Sequence, residues 1–166
     1  VLFITQAAVI AAIYVVLTIF ISAFNLASGA IQVRVSEALT VLPFFTPAAI
    51  PGLAIGCFLS NLITGAAVYD VVFGSLATLL GAVGTYLLRG HKFLCTLPPV
   101  IANMVIIPFV LRYGYGLVMD VGGHDVAIPF YMLTVGAGEV ICCCIMGYIL
   151  LNVLNKYRNV IFKNED

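Results

Sequence analysis

The small number of charged residues restricts how this chain can fold more than any other feature of its sequence. Of the 166 residues, 63% are hydrophobic and 8% are charged, and the mean hydropathy is +1.19. Soluble domains carry about 25% charged residues, so this chain is predicted to be an integral membrane protein. Because a spanning helix takes about 20 apolar residues, the length allows about six spans with short connections and no soluble domain. We expect a single all-α transmembrane domain over residues 1–166.

Proline, glycine and polar segments divide the chain into six predicted helices. The breaks include a polar turn at 25–29, a tight turn at 46–52 punctuated by prolines, and a longer polar loop at 112–128. The predicted transmembrane helices cover residues 2–24, 33–45, 53–63, 68–88, 97–111 and 129–154.

Basic residues indicate the orientation, because cytoplasmic loops carry the excess of lysine and arginine. Placing both termini in the cytoplasm puts most of the basic residues on that side, namely Arg89, Lys92, Lys156, Arg158 and Lys163. We therefore expect a multi-pass protein of the cell (cytoplasmic) membrane. The acidic residues then gather near the outer face.

Several function classes have no support in the sequence. The net charge is zero, so nucleic-acid binding is not indicated. The chain contains no P-loop for ATP, and no metalloprotease or serine-hydrolase motif. The five cysteines lack metal-ligand spacing and are predicted to be buried free thiols. With no internal repeat either, a small substrate-capturing subunit that depends on a separate motor fits better than an enzyme or an independent transporter.

Arg34 and Glu37 are opposite charges three residues apart in a strongly apolar chain. A charge at membrane depth costs about 2.5–3.5 kcal/mol on insertion scales, so such residues usually face a protein interior or a cavity. They could be a local helix pair that neutralises itself. Alternatively, Glu37 presents a carboxylate to a ligand while Arg34 orients it.

Two further acids and two amides are candidates for the same site. Asp70 opens a predicted helix, where it could bind a ligand or simply cap the helix N-terminus. Glu139 has no basic neighbour within a turn, so it needs a partner such as Asn103, a ligand or a proton. Asn61 also falls near the middle of a predicted span.

Aromatic residues near the outer face are weaker signals, because an interfacial aromatic belt would place them there anyway. Tyr69 and Tyr131 are the two candidates for stacking on a flat ligand. Tyr131 is preferred because it lies two turns before Glu139 on a similar helix face.

Small residues on the first predicted helix let another helix approach closely. Two overlapping Ala-xxx-Ala patterns are formed by Ala7, Ala8, Ala11 and Ala12. This face could dock on a partner protein or pack within the chain itself, and the pattern does not decide between the two.

Residues 32–43, which read QVRVSEALTVLP, and residues 52–62, which read GLAIGCFLSNL, resemble the QueT family. These proteins are substrate-binding S-components of energy-coupling factor (ECF) transporters for queuosine precursors. The resemblance extends over nearly the whole chain. It implies six helices, docking of the alanine-rich helix on a membrane-embedded coupling subunit, and two ATPase subunits that use the ATP. The chain itself is then expected to hold no cofactor or metal and to perform no catalysis.

The implied substrate can be compared with the candidate residues. A precursor such as the aminomethyl deazaguanine preQ1 has a guanine-like edge with two neighbouring N–H donors and a cationic aminomethyl arm. We expect Glu37 and Glu139 to divide the edge and the arm between them, with Asp70 in reserve. Asn61 and Asn103 could serve the ring carbonyl and nitrogens, and Tyr131 or Tyr69 could stack.

Other functions stay open at this point. The chain could be an S-component for another small vitamin, since members of such a fold would differ mainly in the pocket. It could also be a stand-alone membrane channel or enzyme. The precursor, the affinity, the charge on Glu139, the coupling module and the oligomeric state are not determined by the sequence.

Overall fold

The computed structural model describes residues 2–24 and 34–162, and most of them are helical. The predicted turn at 25–29, the first residue of the second predicted helix and Lys163 lie outside these residues. Seven α-helices are observed: α1 (Leu2–Ala23), α2 (Ala49–Ile63), α3 (Val68–Leu87), α4 (Leu97–Phe109), α5 (Ala127–Glu139), α6 (Gly147–Lys156) and α7 (Arg158–Ile161).

Within the described residues, four helical stretches are long and apolar enough to cross a membrane, which makes this a mostly helical, multi-pass membrane protein. They are Leu2–Ala23, Val68–Leu87, Leu94–Gly114 and Ala127–Lys156. The other two predicted spans correspond to shorter apolar helices, Val35–Phe44 and Ala49–Ile63. Helix length and composition thus identify four of the six predicted spans.

The Val35–Phe44 segment differs most from its prediction, because it is a short 3-10 helix and not a full-length transmembrane α-helix. At about 2.0 Å per residue, its 10 residues extend about 20 Å, which is short for a membrane span. Pro43 lies inside it and cannot donate a backbone hydrogen bond. Every residue from Ser36 to Pro43 is buried, against α1, α2, α3, α6 and the segment that follows α5. This buried 3-10 helix therefore forms the centre of the bundle.

Two π-helical segments interrupt the long helices. One covers Val110–Gly114 at the end of α4, and the other covers Val140–Met146 between α5 and α6. The second begins at the residue after Glu139. Such widened turns occur often at functional sites, because they change the direction in which side chains project.

Two predicted connections have more structure than expected. The turn predicted at 46–52 is shorter, since α2 begins at Ala49 and holds Pro51 in its first turn, where a missing N–H is tolerated. Within the predicted 112–128 loop, β1 (Asp120–Val121) and β2 (His124–Asp125) form an antiparallel hairpin. Its two-residue turn consists of glycines with positive φ angles of 64° and 84°.

An ion pair joins this hairpin to the end of α4. Arg112 Nε donates to Asp125 Oδ2 at 2.5 Å, and the Ala127 amide donates to Asp125 Oδ1 at 3.0 Å. The Ala127 amide and then Arg112 hold the pKa of the Asp125 carboxyl below its usual range, because both stabilise the charged form.

Small residues bring α1 and α2 into close contact. A Cβ atom on Gly52 would lie 2.8 Å from the Ala7 carbonyl oxygen, and one on Gly56 would lie 3.1 Å from the Ala11 Cα. Ala7 and Ala11 therefore pack against α2, which favours the alternative of packing within the chain for these two of the four alanines. Ala8 and Ala12 are exposed on the adjacent part of α1.

Gly56→Val is expected to destabilise the fold by about 1–3 kcal/mol, because overpacking a tight contact forces helices or side chains apart. A Cβ at this position would lie 2.8 Å from the Tyr14 Cβ. Thermal unfolding in detergent measures the effect. Gly90→Val is the control, since a Cβ there meets nothing within 4 Å. Equal stability of the two variants would contradict the close contact between α1 and α2.

Candidate functional site

Two of the predicted acids meet in the interior. Glu37 on the buried 3-10 helix and Glu139 at the end of α5 are 1% and 6% exposed. One carboxylate oxygen of each, together with the Cys143 thiol, lies within 4.8 Å of the others. The Cys143 thiol donates to Glu139 Oε2 at 3.2 Å. We call these three residues the buried acidic cluster, and its oxygen and sulfur atoms are close enough together to hold a cation.

Hydrogen bonds fix one side of the Glu37 carboxylate. The Tyr14 hydroxyl donates to Glu37 Oε1, and the Thr78 hydroxyl lies 3.5 Å from the same oxygen. The second oxygen, Oε2, is buried and has no partner. Among the described residues, buried side-chain atoms without a hydrogen-bond partner are Glu37 Oε2, Asp70 Oδ1 and Asn103 Nδ2. Such atoms are costly unless water or a ligand satisfies them, so they are candidates for ligand contacts.

Arg34 forms its ion pair with Asp70. The sequence had suggested Glu37 as its partner. Arg34 Nη2 lies 3.3 Å from Asp70 Oδ2, and the two side chains are 20% and 10% exposed. The i,i+3 spacing of Arg34 and Glu37 suits an α-helix, but Arg34 precedes the buried 3-10 helix and has an extended backbone. The ion pair therefore joins the start of that helix to α3.

Tyr115 completes this second group of side chains. Its hydroxyl donates to Asp70 Oδ2 at 3.1 Å and accepts from the Ala67 amide at 3.1 Å. Partial burial raises the pKa of the Tyr115 hydroxyl, so it stays a neutral donor. Asp70 lies in the first turn of α3, as the capping alternative supposed, yet no side-chain cap is formed there. Its partners are Arg34 and Tyr115.

A small cavity connects the two groups of side chains. It has a volume of about 10 Å³ and is lined by Arg34, Asn103, Ile107, Val135 and Glu139. That volume holds one water at most. A bicyclic ligand would therefore require these side chains to move apart.

The two predicted amides have different surroundings. Asn103 on α4 is 3% exposed and lines the cavity, with its Nδ2 unpaired. Asn61 on α2 is also 3% exposed, but its Nδ2 donates to the Asp70 carbonyl at 3.2 Å. Asn103 thus lies beside Glu139 at the cavity, where the sequence had suggested it as a partner of that acid, whereas Asn61 joins α2 to α3.

The structure brings neither predicted aromatic residue into the buried acidic cluster. Tyr69 is 58% exposed and lines a separate apolar pocket of about 410 Å³ with Phe73, Phe109 and Tyr113. Tyr131 is half-buried and packs against Ile107 and Val135, which line the small cavity. Tyr131 itself is not among the residues that line that cavity.

Sequence reasoning missed Tyr14, Thr78 and Cys143. Tyr14 is 1% exposed, and it continues the helical stripe of Ala7 and Ala11, at a spacing that a helix places on one face. That stripe was the available signal for Tyr14. Thr78 stands in an apolar helix with no distinctive pattern around it, whereas Cys143 is the middle residue of the Cys142–Cys144 run, which had been interpreted only as buried thiols. The prediction of five free cysteines is confirmed, although Cys144 is only half-buried.

The family profile of the QueT transporters matches residues 4–156 of this chain. The chain is also similar to a protein named queuosine precursor transporter QueT from Lactococcus lactis subsp. cremoris, with 41% identity over 73 residues. That match covers 44% of this chain and 43% of the relative. No solved structure gives a significant match. The family is one of transporters and not of enzymes. Because its profile extends over nearly the whole sequence, the chain belongs to the QueT transporter family.

Proposed function

We propose that this chain is the substrate-capture subunit, or S-component, of an ECF-type importer driven by ATP. It binds a queuosine precursor such as preQ1 at the outer side of the cytoplasmic membrane and delivers it inward. A membrane-embedded coupling subunit and two ATPase subunits complete the transporter and use the ATP. The chain itself carries no cofactor, and it acts as one domain of six membrane-embedded helices with both termini in the cytoplasm.

The unpaired buried atoms of Glu37, Asp70 and Asn103 are the observation that carries this proposal. Two are carboxylate oxygens and one is an amide nitrogen, so together they offer acceptors and a donor. A deazaguanine has the matching groups: N–H donors along its edge, a ring carbonyl and, in preQ1, a cationic arm. Bidentate hydrogen bonding to a carboxylate is among the stronger contacts available to such an edge.

Family membership and the shape of the site give further support. The relative from Lactococcus lactis is named for the same class of substrate. The candidate residues come from the buried 3-10 helix, α3, α4 and α5, so a bound ligand would touch most of the bundle. We assign substrate contacts to Glu37, Glu139, Asp70, Arg34 and Asn103, with Asn61, Tyr131 and Tyr69 farther from the centre.

Binding measurements on the purified protein test the proposal. Isothermal titration with preQ1 should give saturable binding, whereas riboflavin and thiamine should not bind. Mass spectrometry should identify a deazaguanine in protein purified without added ligand. Saturable binding of a vitamin in place of any deazaguanine would contradict the substrate. Ion conductance in liposomes without a coupling module would contradict the role as a capture subunit.

A further inference from the structure

The buried acidic cluster brings two carboxylates together, and Arg34 lines the small cavity beside Glu139. Glu37 and Glu139 approach within 4.8 Å, while the ion pair recorded for Arg34 is with Asp70. Two carboxylates this close repel each other when both are ionised, so a dry site favours a proton or a cation beside them. A cation between them would remove the repulsion and give Glu37 Oε2 the partner that it lacks.

The cationic end of the substrate suits the position between Glu37 and Glu139 better than its guanine-like edge does. The cationic arm and the guanine-like edge are attached at opposite ends of the fused rings. One ligand therefore cannot place its edge on Glu37 and its arm on Glu139 while the two carboxylates stay this close together. A single ammonium group can reach both. Asp70 is then the remaining acid for the edge, with its own unpaired oxygen.

Tyr14 decides which way the Glu37 carboxylate faces. It is buried in α1, 23 residues before Glu37 along the chain, and its hydroxyl donates to Oε1. The α1–α2 contact fixes the tyrosine, since its Cβ lies against Gly56. With Oε1 held in this way, Oε2 is left as the free acceptor.

We propose that Glu37 and Glu139 together form the subsite for the ammonium group of the substrate, and that Tyr14 is the positioning residue that turns Glu37 toward it. This inference rests on the proposed function and replaces the division of edge and arm between the two glutamates. It also makes α1 part of the binding site, although α1 supplies no group that touches the ligand.

The test compares the aminomethyl deazaguanine with its nitrile analogue, which has the same edge but no positive charge. Tyr14→Phe keeps the buried ring and removes the hydroxyl. We expect it to lower the affinity for the amine about tenfold, as loss of a hydrogen bond to a charged group does, and the affinity for the nitrile less than about twofold. Tyr157→Phe, at a tyrosine that is 51% exposed, should change neither affinity.

A double-mutant cycle separates positioning from general damage to the fold. In a Glu37→Gln background, Tyr14→Phe should cause no further loss of amine affinity, because the charge that it positions is already gone. Asp70→Asn should instead weaken both ligands to the same extent. Equal losses for amine and nitrile in Tyr14→Phe, or fully additive losses in the cycle, would overturn the inference.

A second set of variants covers the case in which Tyr14→Phe fails to fold. Glu37→Gln and Glu139→Gln should each reduce the preference for amine over nitrile, since both acids contact the ammonium group. If only one of them does so, the shared subsite is wrong. If the wild-type protein binds both ligands but Tyr14 does not alter the preference, only this inference fails. If it binds neither, the proposed function fails and the inference with it.

Discussion

Glu37→Gln and Glu139→Gln are each expected to lower the affinity for the aminomethyl deazaguanine by about 100-fold. Glutamine has nearly the same shape as glutamate, so the packing of two residues that are 1% and 6% exposed is preserved. Each substitution removes one of the two buried carboxylates that would contact the ammonium group of the ligand. Removing one partner of a buried charged contact costs about 2–5 kcal/mol, and each 1.4 kcal/mol is a factor of about ten.

Titration calorimetry in detergent or nanodiscs measures this loss. Asp120→Asn is the matched control, because it makes the same acid-to-amide change at an exposed position in the β1–β2 hairpin. That control should bind as the wild type does. If both glutamine variants keep wild-type affinity, the buried acidic cluster is not the substrate site.

Ala8→Trp combined with Ala12→Trp is expected to abolish uptake while leaving substrate binding close to that of the wild type. These two alanines are exposed one turn apart on α1, whereas Ala7 and Ala11 contact Gly52 and Gly56 of α2. Small residues let membrane helices approach closely, so a large ring at both positions would hold a partner helix away. The inner face of α1 and the Tyr14 contact are left unchanged.

Two measurements on the same variant are needed. Uptake of labelled precursor is followed in cells or proteoliposomes that contain the coupling and ATPase subunits, and binding is measured on the isolated chain. Val72→Trp combined with Leu76→Trp serves as the control, since these residues have the same spacing and are exposed on α3. Normal uptake by the Ala8 and Ala12 variant would contradict docking through this face. Loss of uptake in the α3 variant would show that large side chains at any exposed position abolish uptake, which would also contradict docking through α1.

The composition of the chain was sufficient to predict a helical membrane protein, because continuous apolar runs of about 20 residues are typical of membrane-spanning helices. The predicted helix at 68–88 matches Val68–Leu87, and among the described residues the chain breaks its long helices near 46–48 and 115–126, within the predicted connections. The type of helix predicted for residues 33–45 was wrong. The apolar composition of this segment is typical of a span, yet it is a short 3-10 helix enclosed by other helices. Hydropathy does not distinguish a segment buried in protein from one that faces lipid.

Rarity of charge identified most of the candidate site. Charged residues are conspicuous in so apolar a chain. Four of them belong to the buried acidic cluster or to the neighbouring ion pair, namely Arg34, Glu37, Asp70 and Glu139. Their pairing was not predictable, since sequence spacing indicates partners within one helix only. The Arg34–Asp70 pair spans 36 residues and depends on how α3 packs against the centre of the bundle.

The sequence by itself determined that the chain lies in a membrane, where most of its helices fall and which acidic residues are candidates for a site. Each of these follows from composition or local pattern. Only the tertiary structure decided which acids meet, that Tyr14 holds Glu37, and which alanines remain free for a partner. These features depend on contacts between segments far apart in the chain. A one-turn shift between α1 and α2 would change them while leaving every local pattern in the sequence the same.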